Sequence, residues 1–503
     1  MNLPVKDYLH ESTFHDYVRS ETRRQFFGRG MSAVGYAALA SLMGNAALAS
    51  DPVKPQTGSK TGFGAALPAT HFPAKCKNII YLHMVGGPPQ MDLFDYKPKM
   101  NDFYDKDLPD SVRQGQRLTT MTSGQARFPI APSKYKFQQH GKAGGWFSEL
   151  IPWKAKMADD LCIVRSMQTE AINHEPAITY IQTGNQVTGK PCLGAWISYG
   201  LGSLNQNLPT FVVMVAKPSN TEQVQAISAR LWQSGYLPGE HAAVSFRSAG
   251  DPILYINNPP GVPSDIRRKT LDGLKQLNEL NYKLVGDPET HTRIQQYEMA
   301  FRMQTSVPEL TDINREPEST FKLYGDDAKK PGTFANTALM ARRLVERGVR
   351  FVQIYHNNWD THGNVAGRLP SQCKDVDQAC YGLVQDLKSR GMLDSTMVIW
   401  GGEFGRTVYS QGQLSRTNYG RDHHPRCFTI WMAGGGMRPG TVYGETDDFS
   451  YNIIKDPVHI RDFHATILNQ LGIDHNRFTY RYQGLDQKLT GVEPSKVIKE
   501  LIS

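Results

Sequence analysis

The segment VRFVQIYHNNWDTHGN, residues 349–364, joins an apolar run to a cluster of polar side chains. Its first part is an apolar run of strand length, and residues 355–364 then contain two histidines, one aspartate and three asparagines. A short apolar run bounded by polar turn residues is typical of a strand buried inside a sheet. A strand does not need imidazoles and a carboxylate at its end in order to fold. The polar half of the segment is therefore a candidate binding site.

Apolar runs of similar length alternate with amphipathic segments along the rest of the chain. Strands are predicted at 76–84, 160–166, 208–216, 349–355, 395–402 and 427–436, and helices at 174–184, 264–305, 336–348, 377–391 and 458–472. This alternation predicts an α/β fold, a doubly wound and mostly parallel sheet with helices on both faces. Residues 306–332 contain proline and glycine and are predicted to form a loop.

The first 49 residues have the features of an export signal. Two arginines at 23–24 precede two phenylalanines at 26–27, a weakly apolar run follows, and Ala-Leu-Ala at 47–49 precedes Ser50. This order is typical of a twin-arginine signal peptide with a small-residue cleavage site. An amphipathic N-terminal helix is the alternative. We expect the twin-arginine export machinery to act on the chain, and a periplasmic or otherwise exported mature protein to begin near Ser50.

The remaining sequence predicts a surface arm over 50–74 and a folded domain over 75–503, with a helical insertion near 264–332. No segment after the signal approaches the roughly 20 apolar residues that span a bilayer, so no stable membrane span is expected. The formal net charge of +8 is spread along the chain. It therefore suits anionic substrates or surfaces and does not indicate nucleic-acid binding.

The six cysteines at 76, 162, 192, 373, 380 and 427 do not have the spacing of a zinc ribbon. They support no disulfide assignment, and free buried thiols are the simpler expectation. Two isolated histidines are also expected to be structural, because His83 lies inside a predicted strand and His464 lies on the face of a predicted helix.

Ionisable side chains gather where the predicted strands end. The group consists of Asp360 and His362 after one strand, Glu403 and Arg406 after another, Asp422, His423 and His424 just before a third, and His174 at a helix start. Ligand sites in open α/β sheets form beyond the carboxyl ends of strands, so these side chains are expected to lie together. Imidazoles mixed with carboxylates suit zinc, manganese or iron, and carboxylates alone suit calcium or magnesium.

Each of these positions also has a purely structural interpretation. Asp360 could stabilise a turn, and Glu403 could form an internal ion pair with Arg406. His174 could only begin a helix, and residues 422–424 could lie in a surface loop. The metal site is favoured because several such clusters fall at the same end of one predicted sheet.

Several motifs carry a family resemblance. In chain order GGPPQMDLFDYKP, NHEPAITYIQTG, WDTHGN, GGEFGRT, GRDHHP and AGGGMRPGTVYGETD resemble the DUF1501 family, twin-arginine-exported proteins of the alkaline phosphatase and sulfatase superfamily. The resemblance implies an alkaline phosphatase-like core that binds one or two divalent ions, with zinc, manganese, iron and calcium as candidates. The implied metal ligands are Asp360, His362, Glu403, Asp422, His423 and His424, and the implied catalytic residues are His174 at the reaction centre and Arg406 orienting an anion.

The sequence departs from the superfamily pattern at the nucleophile. Pro89 stands where the family tends to have serine, and no cysteine is followed by x-Pro-x-Arg, which excludes the formylglycine route of common sulfatases. His174 occupies the usual position of the nucleophile, and Thr169 is the nearest hydroxyl upstream. Direct attack by a metal-activated hydroxide would need no side-chain nucleophile.

Three functions fit these features. The first is an exported metal-dependent hydrolase of phosphate or sulfate esters that acts on a small anionic ester or a sulfated or phosphorylated glycan. The second is a catalytically silent binding or scaffold protein of the cell envelope with a degenerate or structural metal site, which the missing nucleophile favours. The third keeps the metal and changes the chemistry to that of a mutase or lyase.

Overall fold

The fold is known for residues 64–221, 225–248, 250–253, 256–287 and 289–503 from a computed structural model. These residues belong to one unit that spans Gln56–Ser503. The predicted signal peptide over 1–49 and the predicted arm as far as residue 63 lie outside the described residues. Signal, arm and domain boundaries therefore stay predictions.

A nine-stranded sheet forms the centre of the described chain, with β12, β4, β11, β8, β1, β7, β5 and β6 in spatial order and β15 beside β4. Strand β11 is antiparallel to both of its neighbours, and the other pairs are parallel. The expected α/β fold with a mostly parallel sheet is thus confirmed. The described strands are β1 (Asn78–Met84), β2 (Phe137–His140), β3 (Gly145–Ser148), β4 (Cys162–Gln168), β5 (Phe211–Ala216), β6 (Val244–Phe246), β7 (Phe351–His356), β8 (Thr396–Gly401), β9 (Gly405–Gln411), β10 (Gly420–His424), β11 (Phe428–Ala433), β12 (Thr441–Tyr443), β13 (Glu445–Thr446), β14 (Ile453–Lys455), β15 (Val458–His459), β16 (Tyr480–Tyr482) and β17 (Leu485–Gln487).

Helices cover both faces of this sheet. The described α-helices are α1 (Gln90–Leu93), α2 (Asp110–Arg113), α3 (Pro152–Lys156), α4 (His174–Thr183), α5 (Leu193–Leu201), α6 (Ser264–Val285), α7 (Glu289–Thr311), α8 (Glu318–Tyr324), α9 (Phe334–Glu346), α10 (Val365–Ser389) and α11 (Ile460–Gln470). Short 3-10 turns are found at Pro98–Phe103, Ala158–Asp160, Ala229–Trp232, Gly239–His241, Ile313–Arg315, Asp326–Lys329, Leu393–Ser395 and Lys499–Leu501.

Strand β1 shows how the two faces are built. Ile80 and Leu82 pack in one hydrophobic cluster with α9 and α10, and Ile79 and Tyr81 pack in a second cluster with α5 and α11. Because alternate residues of a strand point to opposite faces, a strand covered on both sides must be apolar throughout. Every residue of β1, β7 and β8 is buried, as the apolar runs predict.

The register of the central strands positions the polar segments. Met84 at the end of β1 pairs with His356 at the end of β7, and His83 pairs with Gly401 at the end of β8. The three parallel strands therefore end side by side. The chain segments that follow them meet at one edge of the sheet, where α/β folds bind ligands.

Three predicted segments differ from the structure. The helix predicted at 264–305 is two helices, α6 and α7, because Gly286 ends α6 in the left-handed conformation. The helix predicted at 377–391 begins at Val365, because Asn364 caps its first turn by accepting a hydrogen bond from the Gly367 amide, and the helix continues through Pro370. Because proline usually interrupts a helix, Pro370 led to a predicted start that lies too late in the chain. The loop predicted at 306–332 is helical in part, since α7 runs through Pro308 to Thr311 and α8 follows.

All six cysteines are free and buried. No helix in the described ranges combines the length and the apolar character that crossing a bilayer requires.

Candidate metal centre

Four side chains converge beyond the ends of the central strands. His174, Asp360, His362 and His423 each offer one ligand atom, and these atoms lie within 4.8 Å of one another. The Nε2 atoms of the three histidines lie 3.2, 2.9 and 3.6 Å from Asp360 Oδ1, in the order His174, His362, His423. Three imidazoles thus surround a single carboxylate oxygen.

The four residues reach this point from three parts of the fold. Asp360 and His362 belong to the loop after β7, and His174 is the first residue of α4. His423 lies on β10, in the β9–β10 hairpin between β8 and β11. The sequence placed all four at this edge, because each stands close to the end of a predicted strand or the start of a helix.

Each of the three histidine rings is oriented by an oxygen atom that is hydrogen-bonded to its Nδ1 atom. The Nδ1 atom of His174 lies 2.6 Å from Glu403 Oε1, that of His362 lies 2.6 Å from Gln411 Oε1, and that of His423 lies 2.8 Å from the Ile172 carbonyl oxygen. These oxygens are acceptors, so each Nδ1 carries the proton. In the neutral rings the lone pair is then on Nε2, the nitrogen directed at Asp360.

In this geometry the Nε2 lone pairs and the negative charge of Asp360 face one another at the centre of the cluster. Nε2 of His174 and Nε2 of His423 are buried and make no well-directed hydrogen bond in the described part of the chain. The lone pairs of neutral imidazoles and an ionised carboxylate repel one another unless a proton or a cation lies between them. Histidine ligands that bind metal through one nitrogen and donate the other to an oxygen are the usual arrangement in zinc sites. The donor set therefore fits a divalent metal ion.

Three nitrogen donors and one oxygen donor restrict the choice of metal. Calcium and magnesium prefer oxygen ligands throughout, whereas zinc, manganese and iron accept imidazole. The side chains of His174 and His362 keep 14% and 17% of their exposed surface, so the cluster reaches solvent on that side. Access of this kind leaves room for an exchangeable ligand, which separates catalytic from closed structural sites.

Asp360 is held in its ionised form. Arg406 Nη2 lies 2.5 Å from Asp360 Oδ1, and Gln225 Nε2 donates to Asp360 Oδ2 at 2.6 Å. Burial alone would raise the pKa of this carboxyl group. The Arg406 charge outweighs burial, together with the three imidazoles, which donate to Asp360 when both ring nitrogens are protonated, and holds the pKa of Asp360 well below its usual range.

Arg406 is fully buried and its guanidinium is already occupied. Besides Asp360 it donates to the backbone carbonyls of Gly86, Gly87 and Arg421. The structure thus places Arg406 against a candidate ligand, and its predicted contact with a substrate anion stays a prediction. Arg421 is likewise buried, in an ion pair with Asp92 at 2.7 Å.

Glu403 lies behind His174 and outside the four-residue group. Its Oε1 atom accepts from His174 Nδ1 and, at 2.9 Å, from the Gly86 amide, and its Oε2 atom lies 3.4 Å from His83 Nε2. Burial would raise the pKa of Glu403, but the bonds to His174 and His83 outweigh it and lower that pKa to about 2. Glu403 therefore pairs with two histidines and does not form the ion pair with Arg406 that the structural alternative predicted.

The pKa of His174 responds to both carboxylates. Burial would lower it, but Asp360 and Glu403 stabilise the doubly protonated ring, outweigh burial and raise the pKa above its usual value. The pKa of His423 moves the other way, to about 4, because burial dominates the stabilisation of its protonated ring by Asp360.

Asp422 and His424 are not brought to the cluster. Asp422 Oδ2 accepts hydrogen bonds from Thr119 at 2.5 Å and Thr122 at 2.6 Å, and His424 Nε2 donates to the Tyr451 carbonyl at 2.6 Å. Neighbouring residues of a strand point to opposite sides, so only His423 of the three can face Asp360. Because the sequence did not predict β10 as a strand, this alternation was missed.

Two glutamines also contact the four-residue group. Gln225 and Gln411 contact Asp360 and His362, and nothing in their sequence neighbourhood marks them as site residues. Thr169 is buried, and its hydroxyl accepts from the Ala171 amide. In the described ranges no serine, threonine or cysteine side chain is hydrogen-bonded to the four-residue group.

Comparison with known proteins adds a family and distant structural matches. A family model described as "Protein of unknown function (DUF1501)" matches residues 76–502, and no curated protein matches the chain. Alkaline phosphatase from the Antarctic bacterium TAB5 matches at 11% identity and a TM-score of 0.30, over 79% of this chain and 98% of that one.

Two other solved structures match to a similar extent. The lipoteichoic acid synthase LtaP from Listeria monocytogenes matches at 10% identity and a TM-score of 0.32, over 83% of this chain and 75% of that one. The PsFucS1 sulfatase from Pseudoalteromonas sp. matches at 14% identity and a TM-score of 0.31, over 79% of this chain and 68% of that one. Matches this distant transfer neither an activity nor a site residue.

Proposed function

This chain belongs to the DUF1501 family of proteins of unknown function, and we propose that it is a metal-dependent hydrolase of phosphate or sulfate esters that works after export. The observation that supports the proposal is the convergence of three histidine Nε2 atoms on Asp360 Oδ1. A protein core has no structural need to gather three imidazoles around one carboxylate, because the lone pairs and the charge must then be compensated.

In this proposal the metal ligands are His174, Asp360, His362 and His423. His174 takes a ligand position in place of the nucleophile position that the superfamily pattern suggested. Glu403, Asp422 and His424 are left out of the ligand set, because their side-chain atoms are engaged elsewhere. Zinc, manganese and iron suit three nitrogens and one oxygen better than calcium does. The described residues supply donors for one ion.

The ion would supply Lewis-acid chemistry for an ester oxygen of an anionic substrate. The protein residues prepare the site for it. Glu403 holds the proton on His174 Nδ1, Gln411 does the same for His362, and Arg406 keeps Asp360 ionised. Substrate enters on the solvent side of His174 and His362.

The proposed reaction uses water as the nucleophile, since no side-chain hydroxyl or thiol of the described residues is bonded to the cluster. The water oxygen forms a bond to phosphorus or sulfur, the ester bond to the leaving oxygen breaks, and the proton from water ends on the released alcohol. The proposed substrate is a small anionic ester or a sulfated or phosphorylated glycan. Twin-arginine export to the periplasm is supported by the motif at 23–27.

One observation favours the silent binding protein as a second candidate. Arg406, the cation nearest the cluster, has its donors occupied by Asp360 and three backbone carbonyls. A phosphate or sulfate ester would therefore have to be bound without this guanidinium. A binding protein with a structural ion would show the same metal content and no ester hydrolysis.

Elemental mass spectrometry of the purified protein tests the site directly. Wild type should contain close to one zinc, manganese or iron per chain, and His362→Ala should lose most of it while keeping its circular dichroism spectrum. His459→Ala is the matched control, because His459 also contacts a carboxylate, Glu170, but lies outside the cluster. Equal metal in all three proteins would refute the site. If metal binds, hydrolysis of phosphate and sulfate esters by the metal-loaded protein decides between the two candidates.

A further inference from the structure

Helix α6 presents apolar side chains to solvent along its length. Leu277, Leu280 and Leu284 are 63%, 57% and 80% exposed, and Ile266 and Leu274 are 45% and 40% exposed. Isolated exposed leucines are common on protein surfaces, but a continuous row of them marks an interaction site. The helix belongs to the predicted insertion and lies outside the candidate metal centre.

The exposed leucines lie on one face of α6, and the buried Leu271 lies on a different side. At 100° per residue, the residues within an arc of about 120° are Ile266, Thr270, Gly273, Leu274, Leu277, Leu280, Asn281 and Leu284, and none of them is charged. We call this arc the outer face. On the inner side Leu271 is buried and Arg268 pairs with Glu298 of α7. The fold therefore needs the inner side, and the outer face has no partner among the described residues.

Basic residues dominate the charged part of the helix. Helix α6 contains five lysines and arginines and three acidic residues. Two of the acids are close to basic neighbours on the same helix, Asp272 to Arg268 at 2.7 Å and Asp265 to Lys269 at 3.9 Å. Lys269 and Arg267 lie directly beside the outer face on its two flanks, and the exposed Lys283 lies farther round on the flank of Lys269, at the angular position of Asp265. The outer face is thus apolar with a basic border.

The size of the outer face decides between two partners. A helix of 22 residues is about 33 Å long, and one third of its circumference is about 10 Å wide, which gives roughly 350 Å². A stable dimer buries about 800 Å² on each partner, so a second copy of the chain would need more surface than this face offers. A lipid surface has no such requirement, because acyl chains fit around each inserted side chain.

We propose that the outer face of α6 docks the protein onto an anionic lipid surface. The helix would lie in the plane of the interface, with Leu277, Leu280 and Leu284 among the acyl chains and Lys269 and Lys283 near the lipid phosphates. Apolar burial combined with attraction of lysines to anionic headgroups is the binding mode of interfacial amphipathic helices. The proposal does not depend on the metal centre or on ester hydrolysis.

Co-sedimentation with vesicles tests the docking. The full chain is mixed with vesicles of phosphatidylcholine alone or of phosphatidylglycerol and phosphatidylcholine in equal parts. Wild type should bind the anionic vesicles, and the combined change Leu277→Ser, Leu280→Ser and Leu284→Ser should weaken binding at least about tenfold. Leu485→Ser is the matched control, since Leu485 is 65% exposed on a different surface. Raising the salt concentration should weaken wild-type binding.

A local measurement identifies the docking segment independently of residues 1–63. Amide hydrogen exchange over 264–285 should slow when anionic vesicles are added to wild type. Exchange that does not change there, or binding that the three serine substitutions leave intact, would overturn the proposal. A concentration-dependent dimer that the same substitutions dissociate, without vesicle binding, would also overturn it and assign the outer face to a second copy. Thermal unfolding checks that the variants fold, because exposed positions of this kind change stability little.

Discussion

Glu403 Oε1 accepts a hydrogen bond from His174 Nδ1 at 2.6 Å, and this contact determines that Nε2 of His174 faces Asp360. A buried carboxylate thereby sets the tautomer of a candidate metal ligand from outside the four-residue group. Glu403 would otherwise be taken for a direct ligand, because it follows β8 at the same edge of the sheet.

Replacing Glu403 by glutamine should weaken metal binding by about 10- to 100-fold, because a neutral amide is a poorer acceptor for His174 Nδ1–H and makes the imidazole a weaker ligand. Competition with a chromophoric chelator measures this affinity. Glu170→Gln provides the control, since Glu170 forms a comparable pair with His459 away from the site. Equal affinities for the two variants would show that Glu403 does not position His174.

Replacing Arg406 by methionine should lower the free energy of unfolding by about 3–5 kcal/mol in metal-free protein, because Asp360 is left as an uncompensated buried charge. Added zinc should recover part of this loss, since the ion supplies the missing positive charge. Urea denaturation with and without zinc measures both values.

Arg421→Met is the matched comparison for that experiment. Arg421 and Asp92 form a buried ion pair of the same kind, which has no contact with the four-residue group. Its loss should be similar in size and should not respond to zinc. A zinc effect of the same magnitude in both variants would contradict the link between Arg406 and the metal site.

Replacing Gly86 by alanine should disrupt the site through the backbone. A Cβ atom at Gly86 would lie 2.3 Å from the Asp360 amide nitrogen, and the residue has a φ of +118°. The loop that carries Asp360 and His362 must then move, so both metal content and thermal stability should fall. Gly363→Ala is the control within the same loop, because nothing lies within 4 Å of its added Cβ. Full metal content in Gly86→Ala would exclude this steric coupling.

The stability of the fold should fall as the pH drops from about 6.5 to 4, with His464 contributing to the loss. Burial, the dominant cause, lowers the pKa of His464 to about 4, although its bond to the Ile181 carbonyl opposes the shift. The unfolded chain, with a histidine pKa near 6.5, binds the proton first. The stabilisation is therefore complete above pH 6.5 and is lost towards pH 4.

The expected contribution of His464 is about 3 kcal/mol, because its pKa falls from about 6.5 in the unfolded chain to about 4 in the folded one. Unfolding free energies of wild type and His464→Gln at several pH values measure it, with chelator present so that the metal centre contributes equally. The difference between the two proteins should shrink as the pH falls. A difference that stays constant from pH 7 to pH 4 would show that His464 does not titrate with folding.

The sequence was sufficient to predict the sheet and the edge at which the site lies. Apolar runs identified the central strands, and the polar segment after β7 supplied Asp360 and His362. It was not sufficient to tell the residues of the four-residue group from their neighbours, because that distinction depends on side-chain direction. His423 faces the cluster and Asp422 faces away only because β10 is a strand, and its short polar sequence GRDHH gives no strand signal.

Sequence patterns also did not identify the residues that hydrogen-bond to the candidate ligands. Gln225 reaches Asp360 from a separate loop, and its position depends on tertiary packing. The start of α10 was missed for a different reason, since Pro370 lies inside the helix against the usual preference of proline.

The four candidate ligands are spread along the chain from position 174 to position 423, so the proposed site is assembled only by folding. Only Asp360 and His362 are close in sequence, and two donors hold a metal weakly. The other two arrive when α4 and the β9–β10 hairpin have docked against the sheet, which are long-range events in folding. The proposed site is therefore complete only in the folded protein, and a chelator present during refolding should leave the folding rate unchanged.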